Sequence, residues 1–362
     1  MIALAAIPAM IWLYLLIGRG GFWRISKNLP PRNFAPAPGA RVIAVIPARN
    51  EAAVIGRALE SLRTQTFAIV VVDDGSEDVT AETAKAAGVQ VLRAPAPPPG
   101  WTGKLWALSL GVEEALKLAP DYLLFTDADI RHEPRNVASL VSLAEERHLD
   151  LCSYMVKLCC DSWAEKAFIP AFVYFFFTLY PPAWATGAAG GCILIRPRAL
   201  AGIGGLAAIR SEIIDDCALA KAVKVNGGRI WLGLTTTAAS IRSYGGVRGV
   251  SGMIARNAFS QLRHSTLLLV GTAAGLLITY ILPVCLVLFA KGWPRVLGGS
   301  AWLLMGLSYA PMVRFYRRSW LWSIALPFVG LFYLRCTFQS AWAYWRGAGG
   351  EWKGRAQDRA AS

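Results

Sequence analysis

The sequence lacks several of the patterns by which a function is most easily assigned. Its seven cysteines form no C-x-x-C pair, and its three histidines are scattered. Two of the cysteines, Cys159 and Cys160, are adjacent, and neighbours in sequence rarely form a disulfide with each other. Neither a zinc site nor a disulfide framework is therefore predicted, and the chain is expected to contain a reduced, cytoplasmic domain.

Acidic residues are few: the chain has 23 Asp and Glu against 37 Lys and Arg, a formal net charge of +14. Such an excess is one sign of nucleic-acid binding. No stretch interleaves basic residues with stacking aromatic residues as known nucleic-acid modules do, so no nucleic-acid partner is predicted. Basic segments that meet anionic lipid, together with phosphate chemistry, explain the charge more simply.

A P-loop is also lacking, although "PPGWTGKLWAL" has some of its features. Pro98 stands where the first glycine is needed, and Leu105 replaces the Ser or Thr that would hold Mg²⁺. Lys104, near the predicted start of a helix, could still neutralise a diphosphate as a point charge. The alternative is a lysine that faces solvent.

Apolar sequence, by contrast, is abundant: 55% of the residues are hydrophobic and the mean hydropathy is +0.42. This predicts a globular part joined to a membrane part. Ile2–Ile17 is an unbroken apolar run, which predicts an N-terminal transmembrane helix within residues 1–24. The alternative is a cleaved signal peptide, but no small-residue cleavage motif follows the run. Basic residues follow it and favour a cytoplasmic flank: Arg19, Arg24, Lys27 and Arg32.

The C-terminal membrane region, residues 266–345, contains two or three hydrophobic segments. Residues 267–290 are long enough to span, and residues 296–313 are a second candidate, so the short link between them suggests a hairpin through the bilayer. The basic residues after the second candidate, 314–318, indicate a return to the cytoplasm.

A third segment, residues 320–334, is apolar but short and ends at Arg335. The tail that follows, residues 346–362, is basic and favours the cytoplasm. If the tail is cytoplasmic, the third segment is interfacial or re-entrant. If the segment spans, the tail lies outside and breaks the charge rule.

Residues 246–265 predict an amphipathic interfacial helix. Arg256, Ser260 and Arg263 fall at positions that share one helix face. The alternative interpretation is functional: Arg256, Gln261 or Arg263 would bind the diphosphate of a nucleotide sugar.

A second surface segment is predicted at Trp163–Trp184. It is apolar and aromatic, but Pro170, Pro181 and Pro182 interrupt it. Because proline breaks helices, an interfacial segment rather than a span is expected.

A proline-rich linker, residues 25–40, leads into a globular domain at 41–245. Short apolar runs typical of buried strands alternate there with helical stretches, which predicts an α/β fold with a mostly parallel sheet and helices on both faces. Ligands bind such sheets beyond the carboxyl ends of the strands. Two predicted strands, "AIVVVDDGS" and "DYLLFTDAD", end in acidic residues at that edge.

These acids are candidate ligands. Asp127 and Asp129 are two residues apart, so in an extended segment their carboxylates point to the same side and suit Mg²⁺ or Mn²⁺ shared with substrate phosphates. The alternative is a cap on the following helix. Asp73 and Asp74 could accept hydrogen bonds from a base or ribose, or could belong to an ordinary turn.

The segment after the first strand is a candidate for anion binding. Pro47 ends the strand, and Arg49, Asn50 and Glu51 follow at a predicted helix start, where backbone amides favour an anion or a polar ligand. Turn and cap chemistry is the alternative.

Two later motifs complete the set. Gly190 and Gly191 precede a strand, where absent side chains would let a sugar approach the backbone, or where an ordinary turn is formed. Asp215 and Asp216 lie in the first turns of an amphipathic helix. They could stabilise the helix dipole, or one could be a general base that deprotonates a hydroxyl.

In this order, "PARNE", "VDDGS", "TDAD", the Gly pair, "IDDCAL" and "QLRHS" resemble the motifs of family 2 glycosyltransferases of the GT-A fold, over residues 41–265. The stretches "AAGGCILIR", "IDDCALAKAVK", "IWLGLT" and "FSQLRHS" look closest to membrane-bound glycosyltransferases associated with hopanoid biosynthesis. Ceramide glucosyltransferases are more distantly similar. The resemblance implies a Rossmann-like GT-A sheet with flanking helices, and N-terminal and C-terminal transmembrane helices.

The resemblance also implies roles for particular residues. Asp74 and residues 47–51 would hold the nucleotide. Asp127 and Asp129 would form the motif that binds Mg²⁺ or Mn²⁺, and Asp216 would be the catalytic base.

Two departures from the family pattern stand beside these roles. Asp215 occupies the position of a glutamate in the family's Glu-Asp pair. "QLRHS" stands where processive members carry Gln-x-x-Arg-Trp, which argues against a polymerase.

The sequence therefore predicts a metal-dependent, inverting glycosyltransferase that moves a sugar from a nucleotide sugar, with a UDP-sugar expected, to a lipid hydroxyl such as that of a hopanoid. It is expected to be a multi-pass protein of a bacterial-type inner membrane with its catalytic domain in the cytoplasm. Two alternatives stay open. One is a non-catalytic membrane protein with a degenerate transferase domain that scaffolds or moves lipid, and the other is a nucleotidyltransferase, which would release pyrophosphate.

Overall fold

A computed structural model describes residues 2–30 and 39–350 of the chain. Residues 31–38 of the predicted linker and 351–362 of the predicted tail lie outside the described residues. The chain divides into two compact units, each built from separate stretches. The sheet unit comprises Asn28–Cys159 and Ala185–Arg242, and the helical unit comprises Met1–Lys27, Cys160–Trp184 and Ser243–Ser362.

The secondary structure alternates in the sheet unit and is almost wholly helical in the other. The strands are β1 (Val42–Ala48), β2 (Ala68–Asp73), β3 (Gln90–Arg93), β4 (Tyr122–Thr126), β5 (Ile130–His132), β6 (Leu151–Lys157), β7 (Cys192–Ile195) and β8 (Ile230–Ser240). The helices are α1 (Ile2–Ile17), α2 (Ile25–Asn28), α3 (Ile55–Leu62), α4 (Thr80–Ala86), α5 (Gly103–Leu116), α6 (Asn136–Glu146), α7 (Trp163–Leu179), α8 (Pro197–Gly202), α9 (Asp215–Val225), α10 (Val247–Gln261), α11 (Thr266–Leu276), α12 (Leu282–Phe289), α13 (Trp293–Phe315) and α14 (Leu326–Trp345).

The strands form one mixed sheet in the order β3-β2-β1-β4-β7-β6-β8-β5. The first four strands in this order run parallel, and β6 runs parallel to β8. β7 is antiparallel to both of its neighbours, and β5 is antiparallel to β8. The predicted α/β class with a mostly parallel sheet is confirmed, whereas the antiparallel β7 was not predicted.

Strand β1 explains why helices cover both faces of the sheet. All seven of its residues are buried. Val45 belongs to a core that includes Leu108 of α5, whereas Ile46 belongs to a second core that includes Leu59 of α3. Because side chains alternate along a strand, a run that is apolar throughout needs an apolar layer on each side.

Helix α5 approaches the sheet most closely at Gly111. A Cβ atom there would lie 2.4 Å from Cγ1 of Val45 and 2.9 Å from Cγ2 of Val72. Only glycine permits this approach, which fixes the position of α5 against β1 and β2.

In the helical unit, the described residues include four helices that are long and apolar enough to cross a membrane, judged by length and composition. They are Trp163–Trp184, Thr266–Phe289, Trp293–Phe315 and Trp320–Trp345, and the shorter apolar helix is Ile2–Ile17. The two apolar segments expected at 267–290 and 296–313 are thus confirmed as helices.

The expectation that prolines interrupt the segment after Cys160 was wrong at Pro170, whereas α7 does end at Leu179, just before Pro181 and Pro182. α7 is continuous through Pro170, which is buried, so packing offsets the one backbone hydrogen bond that this proline cannot make. The start of α7 is well capped: Ser162 and Glu165 form a capping box. The Glu165 carboxylate also accepts hydrogen bonds from the Ser243 hydroxyl (3.0 Å) and the Tyr244 amide (2.6 Å).

Helix α7 does not run alongside α14. Phe168 stacks on Phe332 with ring centroids 3.8 Å apart, and Phe175 contacts Tyr333 with centroids 4.7 Å apart. The two phenylalanines lie about 10 Å apart along α7 but contact adjacent residues of α14. α7 therefore crosses α14 at a steep angle.

Two further expectations in this unit need correction. The third C-terminal segment does not end at Arg335, because α14 continues to Trp345. Arg263 does not share a helix face with Arg256, because α10 ends at Gln261 and Arg263 has a positive φ of 52°.

The close approach at Gly111 gives a stability prediction. Gly111→Ala is expected to destabilise the protein by about 1–3 kcal/mol, because the new methyl group overpacks the interface between α5 and the sheet. Gly56→Ala is the matched control: its Cβ would meet Thr83 at an ordinary 3.6 Å, so this change in α3 should be neutral or stabilising. Thermal unfolding of the purified proteins in detergent measures both, and equal melting temperatures for the two variants would contradict the prediction.

Candidate active site

A cleft opens at the carboxyl ends of β1 and β4. Its polar wall consists of side chains from three separate segments, which the fold brings together: Lys104, Thr126 with Asp127, and Asp215 with Asp216. Pro47 and Gly190 also line it. Its floor is apolar: Leu105, Leu108, Phe125, Ile193, Leu206, Ile209 and Leu219. The cleft lies at the edge where the acidic strand ends predict a ligand site.

Lys104 is at the centre of the polar wall. Thr102 caps α5 by accepting the Leu105 amide, which places Lys104 in the first turn. Its ammonium lies 3.4 Å from Asp127 Oδ1 and 3.1 Å from Asp215 Oδ2. The alternative of a solvent-facing lysine was wrong, because only 21% of its side chain is exposed.

The charges in this cluster act on one another. Burial alone would lower the pKa of Lys104, but Asp127, Asp215 and Asp216 outweigh it and raise that pKa above its usual value. Burial and the neighbouring Asp215 carboxylate raise the pKa of Asp216 to about 6, and Lys104 opposes the increase. A pKa raised this far suits Asp216 to act as a general base near neutral pH.

Asp216 is also held firmly in place. Its Oδ2 accepts the Gly190 amide at 2.7 Å and its Oδ1 accepts the Cys217 amide at 2.7 Å. A Cβ on Gly190 would lie 3.3 Å from Lys104 Nζ and 3.4 Å from Asp216 Oδ2, so glycine keeps this part of the cleft open.

Gly191 has a different role from Gly190. A Cβ on Gly191 would lie 2.8 Å from Cγ2 of Val156, so this glycine is needed for packing between β7 and β6. The structure therefore explains the glycine at position 191 by packing. The approach of a sugar to the backbone at Gly190 stays a prediction.

The expectation that Asp127 and Asp129 lie in an extended segment was wrong. They lie in a turn between β4 and β5, in which the Ile130 amide donates to the Asp127 carbonyl at 3.2 Å. Their carboxylates consequently meet different partners. Asp129 Oδ2 accepts the Ser240 hydroxyl at 2.8 Å and lies 3.5 Å from Arg242 Nε, at the end of β8.

The donor set allows a test of the predicted metal. Among the described residues, no group of three or more His, Cys, Asp or Glu side chains could enclose an ion. Mg²⁺ and Mn²⁺ sites that act on nucleotides use one or two carboxylates and complete their coordination with phosphate oxygens and water. Asp127 fits such a site, because it borders the cleft with 39% of its side chain exposed. Asp129 is engaged by Ser240 and Arg242, so Asp127 is the better placed ligand.

The expectation that a helix starts at Glu51 with open amides was also wrong, since α3 begins at Ile55. Side chains from the loop after β2 already accept these amides. The Asn50, Glu51 and Ala52 amides donate to Ser76 (3.0 Å), Thr80 (2.7 Å) and Asp78 (3.2 Å), respectively.

The same two loops are joined by Arg49. Its guanidinium donates to the carbonyls of Asp74 (2.6 Å) and Gly75 (3.0 Å). Asp73 accepts the Ser76 amide, and both Asp73 and Asp74 are buried. These contacts join the loops that follow β1 and β2, and the contact of these residues with a nucleotide stays a prediction.

Arg256, Gln261 and Arg263 belong to the helical unit. Both arginines are exposed, and Gln261 accepts a hydrogen bond from the Tyr180 hydroxyl at 3.0 Å. Their predicted contact with a diphosphate stays a prediction.

Two groups near the site had no signal in the sequence. Arg242 contacts the Glu51 carboxylate as well as Asp129, and these partners are far apart in the chain. His132 is buried, which lowers its pKa to about 4 and keeps it neutral.

His132 belongs to a buried network that joins β4, β5 and β7. Thr126 donates to the Gly191 carbonyl at 2.8 Å, so its oxygen accepts from His132 Nε2 at 3.0 Å. Nδ1 of the same ring then accepts from Asn136 at 2.9 Å. Both ring nitrogens of the neutral imidazole therefore have hydrogen-bond partners. The ring supports the turn at Asp127 without carrying charge.

The acids and the lysine are gathered at the carboxyl edge of an α/β sheet, which is where ligands bind in folds of this class. Residues 43–204, a little under half of the chain, match the model of glycosyl transferase family 2. The match supports a transferase.

Two curated relatives match part of the chain. An uncharacterized protein of Methanocaldococcus jannaschii is 40% identical over 101 residues, 28% of this chain and 40% of its own. The 4,4'-diaponeurosporenoate glycosyltransferase of Staphylococcus haemolyticus is 35% identical over 115 residues, 30% of each chain. The chain thus spans less than half the length of these relatives.

One solved structure resembles nearly the whole chain. It is a mannosyltransferase of Pyrobaculum calidifontis in complex with GDP-Man and Mn²⁺, with a TM-score of 0.53 at 15% identity, covering 93% of this chain and 99% of that chain. At this identity the likeness concerns the fold, and it supports the predicted GT-A class.

The contact of Arg242 with two acids gives a prediction about the loop. Arg242→Met is expected to destabilise the protein by about 2 kcal/mol, because Glu51 and Asp129 lose their shared cation while partly buried. Combining it with Glu51→Gln should recover part of the loss, since one uncompensated carboxylate is then removed. Thermal unfolding of the two variants checks this, and a double variant less stable than the single one would refute it.

Proposed function

We propose that this protein is a membrane-bound, inverting glycosyltransferase that moves a sugar from a nucleoside diphosphate sugar to the hydroxyl of a lipid. The observation that carries the proposal is the cluster of Lys104, Asp127, Asp215 and Asp216 at one cleft. Lys104 and Asp127 lie within the residues that match glycosyl transferase family 2, and Asp215 and Asp216 follow shortly after them. A lysine and a metal-competent carboxylate stand there beside a carboxylate of raised pKa, the set that transfer from a diphosphate needs.

Each residue has a separate task. A carboxylate oxygen of Asp216 takes the proton from the acceptor hydroxyl, whose oxygen then bonds to the anomeric carbon. The bond from that carbon to the diphosphate breaks on the opposite face, so the configuration inverts. The diphosphate is a good leaving group when its charge is stabilised, so no general acid is required.

Charge on the leaving diphosphate would be met from one side of the cleft. Lys104 supplies a fixed ammonium there. Asp127 would hold Mg²⁺ or Mn²⁺, with Asp129 positioning the turn, and a bound ion would supply further positive charge to the diphosphate oxygens. Asp215 pairs with Lys104 and keeps it beside Asp216.

The donor and acceptor follow from weaker observations. The fold likeness to a protein solved with GDP-Man supports a nucleoside diphosphate sugar, and the sequence motifs favour a UDP-sugar. The long apolar helices support attachment to a membrane, and hence a lipid acceptor. A hopanoid is our proposed acceptor class, from the motifs shared with hopanoid-associated enzymes, and the cytoplasmic face of a bacterial-type inner membrane is its proposed location.

The central test is Asp216→Asn. We expect turnover of UDP-sugar or GDP-sugar donors with a lipid extract to fall by about a thousandfold or more, because the base is lost, while nucleoside diphosphate binding is retained. The control is Glu82→Gln, an exposed carboxylate on α4 that should leave turnover unchanged.

The released product separates this proposal from its rivals. A nucleoside diphosphate supports it, whereas pyrophosphate would identify a nucleotidyltransferase. Absence of turnover with any donor in Mn²⁺ or Mg²⁺ would favour a lipid-handling protein without catalysis.

The pKa of Asp216 also gives a pH prediction. The base must be deprotonated, so kcat/KM should fall as the pH drops below about 6. Lys104 lowers this pKa, so in Lys104→Met the acid limb should move to higher pH as well as the rate decreasing. Lys117→Met, at the other end of α5, is the matched control and should leave the limb in place. An acid limb that stays near 6 in Lys104→Met would show that another group titrates.

A further inference from the structure

The length of the C-terminal helix does not show whether it crosses the membrane completely. Trp320–Trp345 is long and apolar enough to cross a membrane. A full crossing after α13 would place the end of α14 on the opposite side from Arg314, Arg317 and Arg318. Packing within the helical unit indicates a different path.

The chain turns back sharply when α13 ends. Arg317 has a positive φ of 56°, and the Arg318 amide donates to the Val313 carbonyl at 3.0 Å, which closes the helix end. A short 3-10 helix, Trp320–Ala325, follows.

This 3-10 helix lies against the middle of α13. The Trp302 indole donates to the Ile324 carbonyl at 3.0 Å, and a Cβ on Gly306 would lie 3.6 Å from Ser323 Oγ. These two α13 residues are about 14–20 Å from the helix end at Phe315. The chain has therefore returned to about mid-depth of α13 before α14 begins.

The direction of α14 can be measured against α11 and α12, which run antiparallel to α13: Gly298 of α13 packs against Leu286 of α12. Gly330 of α14 packs against Tyr280, in the middle of that antiparallel segment. Tyr344, near the end of α14, stacks on His264, just before α11 starts. α14 thus runs in the same direction as α13 and ends on the same side.

We propose that the segment from Tyr316 to Trp345 is re-entrant: it dips into the bilayer after α13 and leaves on the side where α13 ended. This inference rests on the membrane attachment proposed above. The surface that contacts lipid consists of exposed apolar side chains of the 3-10 helix and early α14: Trp320, Leu321, Trp322, Ile324, Phe328 and Leu331.

The exposed Arg335 favours this path. In a full span it would lie in the hydrocarbon core, at a cost of at least about 2.5–3.5 kcal/mol. In the re-entrant path α14 starts at mid-depth, and Arg335 lies about 14 Å further along. Half of the hydrocarbon core is about 15 Å, so the guanidinium reaches the headgroups.

The distribution of basic residues agrees with the re-entrant path. The side on which α13 and α14 end carries Arg314, Arg317, Arg318 and Arg346, whereas the turn between α12 and α13 carries Lys291 and Arg295. The re-entrant path puts the larger basic group on one side, as expected for the cytoplasmic face.

Cysteine labelling of the full chain in sealed membrane vesicles tests the path. The background replaces the exposed or half-buried native cysteines (Cys159→Ser, Cys160→Ser and Cys285→Ser) and gives the baseline. Exposed positions then receive one cysteine each: Arg317→Cys, Ala348→Cys or Lys291→Cys. A membrane-impermeant maleimide is added to vesicles of either orientation.

We expect Arg317→Cys and Ala348→Cys to be labelled from the same side and Lys291→Cys from the other. Labelling of Ala348→Cys together with Lys291→Cys would overturn the re-entrant path in favour of a full span, while leaving membrane attachment intact. Labelling of all three positions in vesicles of one orientation, and of none in the other, would instead show that the chain does not cross the bilayer and would overturn the re-entrant path.

Discussion

The site depends on one ammonium group. Lys104 lies among three carboxylates that would repel one another in a half-buried cleft, and its charge lets Asp127, Asp215 and Asp216 stand together. Its position depends in turn on α5, which approaches the sheet closely because Gly111 has no side chain. Because Gly111 has no side chain, α5 packs closely against Val45 and Val72, and this packing fixes the position of Lys104 in the site.

The two aspartates of the "TDAD" motif divide their work because a turn separates them. Asp127 borders the cleft with Lys104, whereas Asp129 is tied to Ser240 and Arg242 at the end of β8. One carboxylate is therefore available for chemistry, and the other anchors the loop that carries it. A motif that looks symmetrical in sequence thus has two differently held carboxylates in the folded chain.

The sequence was sufficient where the signal is local. Continuous apolar runs predicted β1 and β4, and acids at the strand ends predicted the edge at which the cleft lies. The sequence was insufficient for contacts between residues that are far apart in the chain. No residue near Arg242 indicates that it contacts Glu51, and the apolar run "CILI" does not indicate that β7 is antiparallel to its neighbours. Pro170 misled for a related reason, since tertiary packing overrode a local propensity.

The position of β7 has a consequence for synthesis. β6 pairs only with β7 and β8 among the described strands, and β7 fills the gap between β4 and β6. The apolar helix α7 is synthesised between β6 and β7. The edges of β4 and β6 that will pair with β7 are therefore unpaired while this apolar segment leaves the ribosome. Open edges and exposed apolar surface are the features that promote aggregation during folding. In the membrane-bound protein proposed above, capture of α7 by lipid would remove one of these hazards before the sheet is completed.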